Sequence, residues 1–340
     1  MNEAQLSEDV MNKTDRIYIA GHTGLVGSAF VRQLKNKGYE NLILIEHSQL
    51  ELTNQKEVEK FFETEKPDVV IDAAAKVGGI KANSEQMSEF YYINNQIQQN
   101  LIWSAYRNGV KKFLFLGSAC MYPKECDQPM KEEDILTGLP EPTNEGYALA
   151  KIGGSRLCSY LYRQYNVDFI SAIPANAYGI GDSFDLAHSH VIPALIRRFH
   201  EARIRGTDAV TLWGTGKALR EFINTDDLAD AGIFLLNNYS SDRPINIGTG
   251  EEVSMMELAE VIKGITNYQG RILTDSTKPD GMMRRLCDNT RIHQLGWSST
   301  KSLEKGLKEL YDWYLDNQEW MEKVKSGEYQ EYYEKMYSKK

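Results

Sequence analysis

The run Arg16-Ile-Tyr-Ile-Ala20, short, β-branched and aromatic, leads directly into Gly21-His-Thr-Gly-Leu-Val-Gly27 and then into a helical pattern, AFVRQLKNKG, that ends on Gly38. A strand, a glycine turn and a helix in that order constrain the chain more than any other feature, because each glycine serves a different need. Gly21 permits the tight turn, Gly24 lets a pyrophosphate approach the backbone, and Gly27 lets the helix pack on the strand. The helix N-terminus adds amide donors and partial positive charge. With His22, Thr23, Leu25 and Val26 between the glycines, spaced G-x-x-G-x-x-G, the segment is expected to bind a dinucleotide. An acidic residue after the second strand would bind a ribose 2′-hydroxyl, and an arginine a 2′-phosphate. Here Glu46 and His47 occupy that stretch, with no arginine.

The alternation continues. Asn41 to Ile45 reads as a second strand, Gln55 to Glu65 as a helix and Asp68 to Asp72 as a third strand, the rhythm of a parallel sheet. Lys112 to Gly117 is an all-apolar buried strand, Ala148 to Tyr165 a long helix and Asp168 to Ile173 a further strand. After about residue 176 the rhythm weakens into a helix (His190 to Glu201), a strand-like Val210 to Trp213, and Phe222-Ile and Ile245 to Gly248, which return to the sheet in this reading. The expected fold is α/β: a Rossmann-like doubly wound parallel sheet with a smaller mixed α/β C-terminal substrate lobe. Residues 1–14 read as a flexible leader and 15–177 as the dinucleotide domain, with 221–248 rejoining it. The segments 178–220 and 249–340 read as the substrate lobe.

Composition narrows the function classes. The 340 residues are 41% apolar and 26% charged, an ordinary globular balance. A net charge of −9, spread along the chain, implies no broad surface for nucleic acid or anionic membrane. Four cysteines, at 120, 126, 158 and 287, form no C-x-x-C pair and suggest free thiols in a reducing compartment. No metal-ligand spacing is present. No apolar run reaches the roughly 20 residues of a membrane span, and MNEAQLSEDVMNKTD lacks the basic start and apolar middle of a secretory signal. The expectation is a cytoplasmic protein.

Tyr147-Ala-Leu-Ala-Lys151 begins a helix, so Tyr147 and Lys151 share a face. An ammonium beside a phenol lowers its pKa from about 10 toward the working range of a proton donor. Ser118, just past the buried strand, falls at the carboxyl end of the sheet and offers a second hydrogen bond to a carbonyl oxygen. Together the three suggest a carbonyl reductase.

The segments AGHTGLVGSA (20–29), AAAKVGGIKAN (73–83), FLGSACMYPKE (115–125), EPTNEGYALAKI (141–152), SHVIPALIRRFHEA (189–202), WGTGKALREFINTDDLA (213–229) and KPDGMMRRL (278–286) resemble, in order, the extended short-chain dehydrogenase/reductase family. Within it they resemble the branch that epimerises GDP-4-keto-6-deoxy-D-mannose at C3 and C5 and reduces C4 with NADPH. The resemblance implies that Tyr147 donates a proton to the C4 oxygen, that Lys151 holds the ribose and tunes Tyr147, and that Ser118 hydrogen-bonds the ketone. It gives the epimerisations to Cys120 and His190, chosen by motif over His188. It implies a cofactor site that also takes in His47, Leu116, Gly117, Ala119, Pro174, Ala175, Asn176, Ala177 and His190. Arg198, Trp213, Arg220 and Asp280 would contact the GDP-sugar, with Arg284 a further candidate cation. NADP(H) is the implied cofactor and NAD(H) the alternative, since Thr23, Glu46 and His47 stand where arginines are expected. A homodimer through a helix bundle that includes the Tyr147 helix is also implied. The competing readings are a reductase or epimerase-reductase for a related GDP-keto-sugar, such as a colitose or heptose precursor, and a non-catalytic cofactor sensor.

Overall fold

A computed structural model describes residues 11–186, 189–278 and 280–317. The first half of the chain runs β1 (Ile17–Ala20), α1 (Leu25–Asn36), β2 (Leu42–Ile43), α2 (Gln55–Glu65), β3 (Val69–Asp72), α3 (Ile80–Glu85), α4 (Met87–Arg107), β4 (Lys112–Leu116), α5 (Glu145–Tyr165) and β5 (Asp168–Pro174). The second half adds β6 (Asn176–Tyr178), α6 (Val191–Arg205), β7 (Ala209–Trp213), β8 (Leu219–Asn224), α7 (Thr225–Asn238), β9 (Ile245–Ile247) and β10 (Glu252–Ser254). It closes with α8 (Met255–Ile265), β11 (Arg271–Asp275), β12 (Arg284–Arg285), α9 (Thr290–Gln294) and α10 (Leu303–Asp316).

Six strands form one sheet in the order β2-β1-β3-β4-β5-β9, with every pairing parallel. All residues of β1, β3 and β4 are buried, because helices cover both faces and neither face can be polar. Strand residues alternate between the two cores. Ile17, Ile19, Val69, Ile71 and Leu114 pack with Phe30 of α1 and Leu228 and Leu235 of α7. Tyr18, Val70, Phe113 and Phe115 face the opposite way, onto Phe62 of α2, Leu101 of α4 and Leu161 of α5. The α/β doubly wound expectation therefore holds.

A second, smaller unit centres on β8, which pairs antiparallel with β10 and parallel with β12 and β6, while β7 and β11 form a separate parallel pair. Phe199 of α6, Leu258 of α8 and Leu310 of α10 close its core. The loop after β4 is stitched to the segment around β12. Met130 N–H donates to Leu286 C=O at 2.8 Å, Asp288 N–H returns a bond to Met130 C=O at 2.8 Å, and Leu286 N–H reaches Gln128 Oε1 at 2.8 Å.

Three details differ from expectation. Of the segment 221–248, α7 packs on α1 and β9 joins the large sheet, whereas β8, with Phe222 and Ile223, belongs to the second sheet. The second strand pairs only over Leu42–Ile43, beside Ile17 and Tyr18. Of the leader, residues 1–10 lie outside the described residues, but Met11 is buried and its N–H donates to Asn237 Oδ1 at 3.1 Å. An apolar side chain that can fill the core beneath α7 is not left in solvent. Among the described residues no helix is long and apolar enough to cross a membrane.

Candidate active site

The strand order reverses at β1, which opens a crevice at the carboxyl ends of β1 and β3. Gly21 sits there with φ +76°, and a methyl group on it would lie 2.9 Å from the Ala73 carbonyl oxygen. Its carbonyl accepts Gly24 N–H at 2.9 Å and closes the turn. Gly24 is the N-cap of α1 and has no side chain to cap it. A side chain on Gly27 would collide with the Gly21 carbonyl. Thr23 and Gly24 are exposed at the turn tip, Leu25 opens α1 half-buried, and Val26 packs on the core. His22 is half-buried with its Nδ1 lacking any partner. Uncapped amides at a helix start and a glycine-walled crevice fit a dinucleotide pyrophosphate.

The neighbouring strand ends complete this rim. Lys151 Nζ donates to Leu116 C=O at 2.9 Å and lies 4.8 Å from the Phe115 ring centroid. Gly117 N–H bonds Ala172 C=O at 2.8 Å, and a side chain there would press on Met121 Sδ. Ala119 is buried. Pro174 ends β5, Ala175 N–H bonds Ile247 C=O at 2.9 Å, Asn176 Nδ2 bonds Glu221 C=O at 2.8 Å, and Ala177 is half-buried against the core. His47 is exposed and pairs with Glu51 at 3.3 Å.

Ser118, Cys120 and Tyr147 converge where β4 ends and α5 begins. Ser118 Oγ accepts Cys120 N–H at 3.2 Å and caps a short 3₁₀ turn, Ala119–Met121. The Ser118 side chain also hydrogen-bonds Tyr147. Asn144 Nδ2, at the start of α5, donates to Cys120 Sγ at 3.1 Å, and Arg285 Nη1 stands 3.8 Å from the same sulfur. Lys151 Nζ is 5.9 Å from the Tyr147 ring centroid. Burial holds the Tyr147 phenol well above its usual value, with Cys120 adding to the effect and the Ser118 bond only partly opposing it. Sequence reasoning expects the reverse, a phenol lowered by Lys151. Desolvation of the phenol outweighs the distant ammonium, which burial itself pushes down and which the Leu116 carbonyl engages.

His190 is the N-cap of α6 and makes no side-chain cap. It is solvent-exposed on one side, yet protein crowding on the others holds its imidazole below the ordinary value. His188 lies outside the described residues. In the second unit, Arg198 is half-buried and donates to Thr211 C=O, and Trp213 is 71% exposed at the end of β7. Arg220 Nη1 bonds Leu219 C=O at 2.7 Å. Burial and neighbouring Arg285 lower the Arg220 guanidinium, while Asp280 opposes them. The Asp280 carboxylate accepts both the N–H (2.7 Å) and the Oγ1 hydroxyl (2.9 Å) of Thr215, which fixes the turn that follows Trp213.

Residues 17–248 match the model of the NAD dependent epimerase/dehydratase family. The chain belongs to that family. It is 52% identical over 306 residues to GDP-L-fucose synthase 1 of Arabidopsis thaliana, covering 90% of this chain and 95% of that one. Among solved structures, a GDP-L-fucose synthetase from Naegleria fowleri bound to NADP aligns with TM-score 0.87 at 28% identity, over 94% of this chain and 98% of that one. A GDP-6-OMe-4-keto-L-xylo-heptose reductase from C. jejuni aligns with TM-score 0.87 at 36% identity, over 91% and 99%.

Within this epimerase/dehydratase family member, one candidate cation is replaced by its neighbour. Arg284 is exposed and bound to Glu252 at 2.7 Å, so it points away. Arg285, on the opposite face of β12, has Nε and Nη2 buried without a partner. The alternation of a strand decides which of two adjacent arginines turns inward, and the pairing of β12 with β8 is invisible in the sequence. Asn144 was also unread, although it stands inside EPTNEGY. Asp72 is a third omission. This fully buried acid at the end of β3 accepts Ala74 N–H at 3.2 Å with one oxygen and has no partner for the other.

Proposed function

We propose that this chain converts GDP-4-keto-6-deoxy-D-mannose to GDP-L-fucose, by epimerisation at C3 and C5 followed by reduction at C4 with NADP(H). The observation that carries the reading is the contact set Ser118, Tyr147, Cys120, Asn144 and Arg285, in which ketone-binding donors stand beside a thiol. The relatives named GDP-L-fucose synthase and the NADP-bound neighbour support both activity and cofactor.

A proton α to a ketone is acidic only while the developing enolate oxygen is stabilised. Tyr147 and Ser118 supply that stabilisation at the C4 oxygen. Cys120 and His190 exchange the C3 and C5 protons. The imidazole, held low, is neutral at physiological pH and ready to accept one. NADPH, when bound between the glycine turn and the 116–119 and 174–177 loops, supplies the hydride for C4. Tyr147, kept protonated by burial, then protonates the C4 oxygen. Lys151 orients the ribose and carries the local positive charge. Arg198, Arg220 and Arg285 meet the diphosphate, Trp213 offers a stacking face, and Asp280 holds the turn that presents it.

Incubation with that ketone in deuterated water, with and without NADPH, tests the reading. Deuterium should enter C3 and C5 without NADPH, and GDP-L-fucose should form with it. Solvent deuterium at neither carbon would leave a reductase alone, the activity named for the heptose neighbour. Cys120→Ser should slow exchange by about 100-fold or more while sparing reduction of an already epimerised ketone.

The protein is further proposed to be a cytoplasmic homodimer joined through α4 and α5. Exposed Tyr91, Tyr92, Trp103, Leu149 and Tyr160 support the interface, and the four cysteines, all unpaired, support the compartment. Trp103→Glu should shift the mass seen by light scattering from dimer to monomer.

A further inference from the structure

The ribose end of the dinucleotide crevice carries an acid where a 2′-phosphate would need a base. β2 ends at Ile43 beside Tyr18 of β1, so the residues that follow lie next to the glycine turn. Glu46 starts a tight turn there. Its carbonyl accepts the N–H groups of Gln49 and Leu50 at 2.9 and 3.2 Å, and its own N–H donates to Gln49 Oε1 at 3.3 Å. These bonds use the Glu46 backbone and leave its carboxylate exposed. That carboxylate acts electrostatically on His22, the second residue of the glycine turn.

The other groups on this rim offer a phosphate dianion little. Thr23 is neutral, and His47 turns to Glu51 at 3.3 Å. His22 is held below its ordinary value by burial, against the pull of Glu46, and so is largely uncharged near neutrality. Neither 21–27 nor 44–54 contains a lysine or arginine. A carboxylate after the second strand accepts a hydrogen bond from a ribose 2′-hydroxyl and repels a 2′-phosphate.

We infer that Glu46 is the cofactor-specificity residue of this chain and that it admits NAD(H) alongside NADP(H) by accepting the ribose 2′-hydroxyl. The inference rests on the dinucleotide reading of the glycine turn.

Binding of NADH and NADPH to the whole protein, followed by the change in reduced-nicotinamide fluorescence, tests it without turnover. Wild-type protein should bind the two within about tenfold of each other. Glu46→Gln should weaken NADH about tenfold and leave NADPH equal or tighter, the scale of one charge-assisted hydrogen bond. Glu46→Arg should move the ratio toward NADPH by about 100-fold or more. A wild-type preference for NADPH beyond 100-fold, or a ratio unmoved in both variants, would overturn the role of Glu46 while leaving the dinucleotide reading intact. Binding of neither cofactor would overturn both. Glu46 is exposed, so both variants should keep the wild-type circular dichroism spectrum.

Discussion

Asp72 is a fully buried carboxyl of the large sheet with one oxygen unpartnered. Burial pushes its carboxyl up to about 6, with Lys151 and the Ala74 N–H only partly opposing. The folded value therefore lies above the unfolded one of about 4. Stability linked to this group is fully present below about pH 4 and is lost as pH rises through about 6. A shift of that size corresponds to roughly 3 kcal/mol. Asp72→Asn cannot ionise, so its Tm should exceed that of wild type by several degrees at pH 7.5, and the gap should close at pH 4.5. An identical difference at both pH values would show that Asp72 does not ionise in the folded protein. The sequence could not disclose this residue, because Val-Val-Ile-Asp reads as a strand wherever its last side chain turns.

At the scale of elements, α5 carries Tyr147 and Lys151 and depends on Gly154 for its seat. A methyl group on Gly154 would meet the Phe115 ring at 2.5 Å, and that ring also lies under Lys151. Gly154→Ala should lower Tm by several degrees and reduce the NADPH-dependent kcat more than it raises KM, since the displaced helix misplaces Tyr147, the proposed proton donor. Unchanged kcat at lowered Tm would restrict the glycine to packing. The glycine turn, α2 and α5 were legible from local signals: glycines spaced after a strand, an amphipathic run from Gln55, and Tyr147 and Lys151 one helical turn apart. The long α4 was not read, since buried Asn94, Gln98, Asn100 and Ser104 break the periodicity of its packed faces. Asn94 Nδ2 answers the Lys76 carbonyl at 3.0 Å and Gln98 Nε2 the Ala150 carbonyl. Such long-range bonds have no local signature.

For the molecule as a whole, a net charge of −9 disfavours any approaching polyanion, so recognition of a diphosphate must be local. The arrangement supports that. Arg220 and Arg285 lie side by side across the β8–β12 pairing, and neither forms an ion pair with a carboxylate among the described residues. Two neighbouring guanidinium groups without such partners destabilise the apo protein and favour an incoming anion. Arg220→Ala should raise KM for the GDP-sugar by about 30-fold or more while Tm stays equal or rises. A large fall in Tm with unchanged KM would make Arg220 a structural residue instead. The motifs displayed the arginine types in sequence, but which of them face one another depended on strand pairings between distant segments.

Synthesis delivers the chain from its amino terminus, so the parts of this centre arrive in a fixed order. The glycine turn, Ser118, Cys120, Tyr147 and Lys151 have all been made once β5 is complete. Arg285 follows Cys120 by 165 residues, on the segment stitched to Met130. A growing chain therefore owns its dinucleotide crevice well before its thiol gains its arginine neighbour. Until β12 docks, Cys120 lacks that neighbour, and crosslinking between positions 120 and 285 in stalled nascent chains would mark the moment the centre is complete.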